Sequence, residues 1–225
     1  MRIIILIIAN DSIPQYIEMQ SIWKQYMNTH PNITSFFIKN DITIESPIQY
    51  IPEENTIYYK DNESLTPGII NKTVKSIEYC LENMEFDYIY RTNLSSFLDL
   101  NKMYDYFLKI NRIHYGGVIG NLDDGMPFAS GCGFVLSKYA CKYILKNENV
   151  LFESNHYDDV AIGNLLNPVY GIEHISRIDI NNMSEEKFIM DENTFHYRCK
   201  SDGNHCVTVD IINKLNNKLN NKIDI

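Results

Sequence analysis

The chain opens, after Arg2, on an unbroken apolar run from Ile3 to Ala9, rich in β-branched residues, that stops at Asn10-Asp11-Ser12. Beyond it Ile17, Ile22, Trp23, Tyr26 and Met27 recur at helical spacing. This pattern predicts a buried first strand, a loop and a helix. Thr34 to Ile38 reads as a second strand, Pro47 to Pro52 as a loop, and Thr56 to Tyr59 as a third, short strand. Pro67-Gly68 then begins a helix in which Ile70, Val74, Ile77, Tyr79 and Leu81 alternate with Lys72, Lys75 and Glu78, so Lys72 is expected on a polar face. Phe86 to Thr92 is a predicted strand whose end delivers Asn93-Leu94-Ser95-Ser96 to the sheet edge, ahead of an amphipathic helix from Leu100 to Ile110. A strand from Tyr115 to Ile119 leads through a loop, Asn121 to Pro127, to a glycine-punctuated turn, Ser130-Gly131-Cys132-Gly133. A strand from Phe134 to Leu136 and a helix from Ser137 to Lys146 follow. The pair Asp158-Asp159 opens another helix running to Leu166, and the last polar motif is Phe195-His196-Tyr197-Arg198-Cys199-Lys200. No internal repeat or linker divides the chain.

Alternating strands and helices of this kind predict an α/β fold with a mostly parallel sheet flanked by helices. The 225 residues suffice for one such domain, expected over 1–212, with 213–225 as an Asn/Lys-rich C-terminal helix or tail. A hydrophobic fraction of 44% and sixteen tyrosines place the chain among globular proteins. The formal net charge of −9 excludes a general nucleic-acid binder, because no basic stripe is available to displace counterions. The opening apolar run is too short to span a bilayer and lacks a small-residue cleavage pattern, so neither a membrane span nor a signal peptide is expected. Five cysteines, an odd number without framework spacing, point to a reducing cytoplasm. The sequons Asn62-Glu63-Ser64 and Asn71-Lys72-Thr73 then carry no meaning.

Adjacent carboxylates at a helix start repel unless the helix dipole or a ligand holds them, which makes Asp158 and Asp159 a candidate acid–base site. Read alone, they are more simply an N-cap and a first-turn acid. His196, Cys199, His205 and Cys206 offer donors for zinc, yet His205-Cys206 does not follow finger spacing and no second Cys-x-x-Cys half exists, leaving zinc as the lesser alternative. Ser130-Gly131 lacks the elbow of a serine hydrolase. The loop after the first strand lacks the glycines of a dinucleotide fold.

Taken in order, Tyr16 to Trp23, Lys72-Thr73, Arg91 to Phe97, Ser130 to Ser137, Asp158 to Gly163 and His196 resemble the GT-A glycosyltransferases. Within them the likeness is to galactosyl- and N-acetylglucosaminyltransferases of the Fringe type and to related transferases of large DNA viruses. The resemblance spans residues 1 to 200. It implies a single-domain, Rossmann-like GT-A fold and transfer of a hexose from a nucleoside diphosphate, UDP by expectation, to a hydroxyl of a glycan or glycoprotein, with inversion. A catalytically inactive protein of the same fold that binds nucleotide sugars or carbohydrate is the alternative. Localisation is expected to be cytoplasmic, in the host cytoplasm if the chain is virus-encoded.

The resemblance also assigns roles. Asp159 is the implied catalytic base, with Asp158 positioning it or touching the acceptor. Ala9, Asn10 and Asp11 line the base pocket, Thr92, Asn93 and Ser95 face the donor phosphates and ribose, and Ser130, Gly131 and Cys132 form the wall beside the sugar. Related enzymes hold manganese or magnesium with an Asp-x-Asp motif and a late His; here Asn93, Ser95 and His196 occupy those positions. Neutral amide and hydroxyl oxygens are weak ligands for a hard cation, so dependence on manganese or magnesium is expected to be weak or absent. Cationic side chains must then meet the charge left on the leaving diphosphate, and the candidates are Lys72, Arg91, Arg198 and Lys200.

Overall fold

A computed structural model describes residues 1–110, 112–122, 125–154, 156–181, 194–201 and 203–220. Asn155, two residues of the 121–127 loop (123 and 124) and the last five of the Asn/Lys-rich stretch, 221–225, lie outside them. The first strand, β1 (Ile3–Ile8), is the axis of the molecule. Its apolar residues alternate between two cores: Ile3, Ile5 and Ile7 join one cluster, while Ile4, Leu6 and Ile8 join the other. A strand covered on both faces needs a continuous apolar run, which is what residues 3–8 supply. Each fully buried aliphatic side chain there contributes roughly 1.5–3 kcal/mol.

On the first face lie α1 (Pro14–Tyr26), α3 (Leu100–Lys109) and α7 (His205–Asn220), contributing Trp23, Met103 and Ile212 among others. On the second face are α2 (Gly68–Asn83), α4 (Lys138–Lys146), α5 (Glu148–Glu153) and α6 (Asp158–Tyr170), contributing Ile77, Ile144, Leu151 and Ile162. Helix starts follow local chemistry. Pro14 opens α1, Asp99 accepts the Lys102 N–H at 3.1 Å to cap α3, and Ser137 accepts the Ala140 N–H at 3.2 Å to cap α4.

The remaining strands are β2 (Ile33–Asn40), β3 (Ile48–Ile51), β4 (Thr56–Tyr59), β5 (Tyr88–Asn93), β6 (Ser96–Leu98), β7 (Tyr115–Gly120), β8 (Phe128–Ser137), β9 (Glu173–His174), β10 (Ile178–Asp179) and β11 (His196–Arg198). The main sheet has eight strands in the order β3-β4-β2-β1-β5-β8-β7-β9, and a second sheet of three runs β10-β11-β6. β1 pairs in parallel with β2 on one side and β5 on the other, so the chain reverses its winding direction there. Such a switch point opens a crevice at the carboxyl ends of the strands. Ile8 stands beside Asn93 in that register, which sets the end of β1 against the end of β5.

Four expectations need correction. Pro47 to Pro52 is not simply a loop: Ile48 to Ile51 form β3, antiparallel to β4 at the sheet edge. Neither Gln49 nor Tyr50 is buried, so no alternation marks the strand in the sequence, and the flanking prolines suit an edge. Ser130 to Gly133 is no turn between elements but lies within β8. Lys72 does not face solvent; it is 1% exposed. Asp158 is not the N-cap of α6, a position taken by Tyr157. Residues 213–220 continue α7, where Leu215 and Asn216 are buried and the Asn216 amide donates to Gln25 on α1 at 2.7 Å. Among the described residues no helix is long and apolar enough to cross a membrane.

Candidate active site

The site is organised by an interruption in β8. β8 pairs with β7 in a register that jumps from Gly117 opposite Phe134 to Ile119 opposite Ala129, so Ser130 to Gly133 leave the ladder as a bulge. Freed backbone groups need other partners, and they find side chains. The Gly131 carbonyl accepts from the Arg91 guanidinium, and the Gly131 N–H donates to Asp159 Oδ2 at 2.8 Å. The Cys132 carbonyl accepts from Thr92 Oγ1 at 2.7 Å and from Ser96 Oγ at 3.0 Å. Ser130 Oγ accepts from Arg177 Nη1 at 3.3 Å. Gly133 stays in register with Thr92 and has to be small: a Cβ there would lie 2.4 Å from His196 Cε1 and 2.6 Å from the Tyr90 hydroxyl.

The paired acids are separated by environment. Asp158, 6% exposed, sits 2.6 Å from Nη2 of Arg91, itself 3% exposed. Burial pushes the Asp158 carboxyl above the usual carboxylate range, and the Arg91 guanidinium offsets this in part. Asp159 is half-buried, its Oδ2 on Gly131 and its Oδ1 accepting the Val160 N–H at 3.0 Å in the first turn of α6. The helix N-terminus favours its negative charge. Asp158 is therefore a buried half of an ion pair, and Asp159 is the acid left able to reach a ligand.

At the end of β1, Asn10 Oδ1 accepts from the Ser12 N–H and hydroxyl, turning the chain, and the Ala9 carbonyl accepts from Lys72 Nζ at 3.0 Å. Lys72 also pairs with Glu63 at 2.8 Å; burial lowers its pKa, and Glu63 acts against that shift. Burial would raise the pKa of Asp11, but hydrogen bonds from Lys39 and Gln20 outweigh it and hold the carboxyl below its ordinary range.

At the end of β5, Asn93 Oδ1 accepts from the hydroxyls of Ser95 at 3.0 Å and Ser96 at 3.2 Å. His196 is 1% exposed, with Nδ1 at 2.9 Å from the Tyr90 hydroxyl and Nε2 at 3.1 Å from Ser96 Oγ. Burial, reinforced by Arg177 and Arg198, pulls its pKa down to about 3. Both ring nitrogens and the Asn93 oxygen are thus engaged within the protein. No three His, Cys, Asp or Glu side chains converge as metal ligands among the described residues. A hard divalent cation prefers carboxylate oxygens, and this donor set does not fit one. Zinc fares no better, since Cys199 is buried and donates to the Tyr197 carbonyl while Cys206 is exposed.

The structure thus brings Arg91, Thr92, Asn93, Ser95, Ser130, Gly131, Cys132, Asp158, Asp159 and His196 to one crevice, with Ala9, Asn10, Asp11 and Lys72 along the neighbouring strand end. Arg198 joins them through β11, whereas Lys200 is exposed beyond the strand. Sequence reasoning missed Arg177, Asp179, Tyr90 and Glu63, and brought Ser96 to the sheet edge without giving it a role. Only the alternation Arg177-Ile178-Asp179-Ile180 carried a signal, that of a short strand. A separate cleft of about 470 Å³, lined by Arg112, His114, Lys138 and Lys142, borders the start of β5 and the end of β8, away from this crevice.

No protein-family model matches the sequence, and no curated protein matches it either. Solved structures do. One is a glycosyltransferase involved in the glycosylation of the major capsid of PBCV-1, with a TM-score of 0.58 and 11% identity over 95% of this chain and 100% of that one. Another is the galactosyltransferase LgtC in complex with donor and acceptor sugar analogs, with a TM-score of 0.47 and 13% identity over 97% of this chain and 96% of that one. At such identities the likeness is one of architecture: the chain has the single-domain GT-A glycosyltransferase fold, with a mixed, mostly parallel central sheet flanked by helices.

Proposed function

We propose that this chain is a glycosyltransferase of the Fringe-type kind that moves a hexose from UDP to a carbohydrate hydroxyl with inversion. The observation that carries the reading is the division of labour between the paired acids. Asp158 is consumed by Arg91 inside the protein, while Asp159 is held by Gly131 and the start of α6 at the crevice mouth. A carboxylate so held can take the acceptor proton as the hydroxyl attacks the anomeric carbon from the face opposite the leaving diphosphate. The neighbouring ends of β1 and β5 supply the donor side. Ala9 to Asp11 would meet the base, and Thr92, Asn93 and Ser95 the ribose and phosphates. The five thiols, all unpaired, support a cytoplasmic setting.

The test is transfer from UDP-sugars by the wild type and by Asp159→Asn, with UDP affinity measured beside it. Asp159→Asn should lower turnover roughly a hundred- to ten-thousandfold, the usual worth of a general base, with UDP affinity kept. Near-wild-type turnover, or a product that retains the anomeric configuration, would remove Asp159 from this role. The second reading, a protein that binds nucleotide sugars without transferring them, draws support from Asn93 and Ser95 standing where acids are expected. Wild-type binding of UDP-sugars with neither transfer nor hydrolysis would select it.

A further inference from the structure

Leaving-group charge has to be met by cations, and the cations of this crevice are not equally available. Lys72 is held by Glu63 and the Ala9 carbonyl, and Arg91 by Asp158 and the Gly131 carbonyl, both deep in the fold. A second pair is held differently: the Arg177 side chain is also buried, at 7% exposure, but it and the more open Arg198 share a single carboxylate. β11 runs antiparallel to β6 with Arg198 opposite Ser96, and parallel to β10 with Arg198 beside Asp179. Arg177, just ahead of β10, grips the Asp179 carboxylate through Nε at 2.5 Å and Nη2 at 3.1 Å. Its third nitrogen, Nη1, reaches Ser130 Oγ in the bulge at 3.3 Å, a long bond to a neutral hydroxyl. Arg198 approaches the same carboxylate at 3.4 Å, and its buried Nε has no hydrogen-bond partner among the described residues. Two guanidinium groups thus share one carboxylate beside Ser95 and Ser96, where the resemblance implies a cation.

We propose that Arg177, with Arg198, binds the diphosphate of the donor and supplies the positive charge that a metal ion supplies elsewhere. This rests on the donor reading above. A guanidinium fork matches phosphate oxygens in a bidentate way, and exchanging a long hydroxyl contact for a charged one is favourable. Asp179 occupies both forks and so competes with the phosphate for them. As the bond between the anomeric carbon and the diphosphate oxygen breaks, its electron pair stays on that oxygen facing the arginines. The acceptor oxygen forms the new bond and its proton passes to Asp159.

Calorimetric titration of UDP and of uridine into the wild type, Arg177→Ala, Arg177→Lys and Asp179→Asn, in EDTA and again in manganese, tests this. Wild type should bind UDP in EDTA more tightly than uridine. Arg177→Ala should lose about ten- to hundredfold in UDP affinity, the worth of a charged hydrogen bond, with uridine affinity unchanged as evidence of an intact fold. Arg177→Lys should fall between. Asp179→Asn should bind UDP more tightly than wild type, because a competing carboxylate is gone; a structural brace would give the reverse. UDP binding that is unchanged in Arg177→Ala, or that requires manganese, overturns this inference alone. Wild type that binds neither UDP nor uridine under either condition overturns the donor reading itself.

Discussion

Acid should destabilise this protein in part through one buried ring. His196 lies between the Tyr90 hydroxyl and Ser96, and burial together with the charges of Arg177 and Arg198 pulls its pKa down to about 3. In the unfolded chain the same ring titrates near 6.5. Between those values the unfolded chain holds a proton that the folded chain lacks. The stabilisation is therefore full above about pH 6.5 and is lost toward pH 3 at about 1.4 kcal/mol per pH unit. From about pH 7 to about pH 5 the loss works out at about 2 kcal/mol, a large share of a typical folding free energy. Urea unfolding at both pH values, for wild type and for His196→Gln, isolates the effect, because carboxylates titrate in both proteins and cancel in the difference. Wild type should lose about 2 kcal/mol more than the variant on acidification. Parallel losses would mean that the ring accepts a proton in the native state, and the reading of His196 as a neutral, fully engaged residue would fall with it.

Asp158→Asn should cost about 3–5 kcal/mol in urea unfolding, because it leaves the Arg91 guanidinium buried without its counter-charge. A loss below about 1 kcal/mol would show that water reaches the pair. Gly133→Ala should lower stability by about 1–3 kcal/mol, since its Cβ would press on His196 and Tyr90, and an unchanged thermal midpoint would refute that crowding.

The sequence by itself determined the layers. The run Ile3 to Ile8, short and rich in β-branched residues, reads as a buried strand, and the spacing of Ile70, Val74 and Ile77 as one apolar face of a helix. These are local periodicities, repeated every two or three to four residues, and they survive without knowledge of the rest of the chain. The helices from Leu100 and from Ser137 were legible for the same reason, while the caps that start them, Asp99 and Ser137 each accepting an N–H three residues on, were seen only in the structure. The acid pair was visible too, as two adjacent letters, but its split into a buried ion-pair partner and an accessible carboxylate was not. That split depends on Arg91, which comes from another strand and binds Asp158 on one side and the Gly131 carbonyl on the other. Lys72 reads as polar surface until folding brings Glu63 and the end of β1 over it. Arg177 has no motif at all and acquires meaning only beside Ser130, 47 residues earlier in the chain. Tertiary structure decided these because the energy of a buried charge is set by the partner it meets, and that partner belongs to another segment, in a register that side-chain periodicity does not encode.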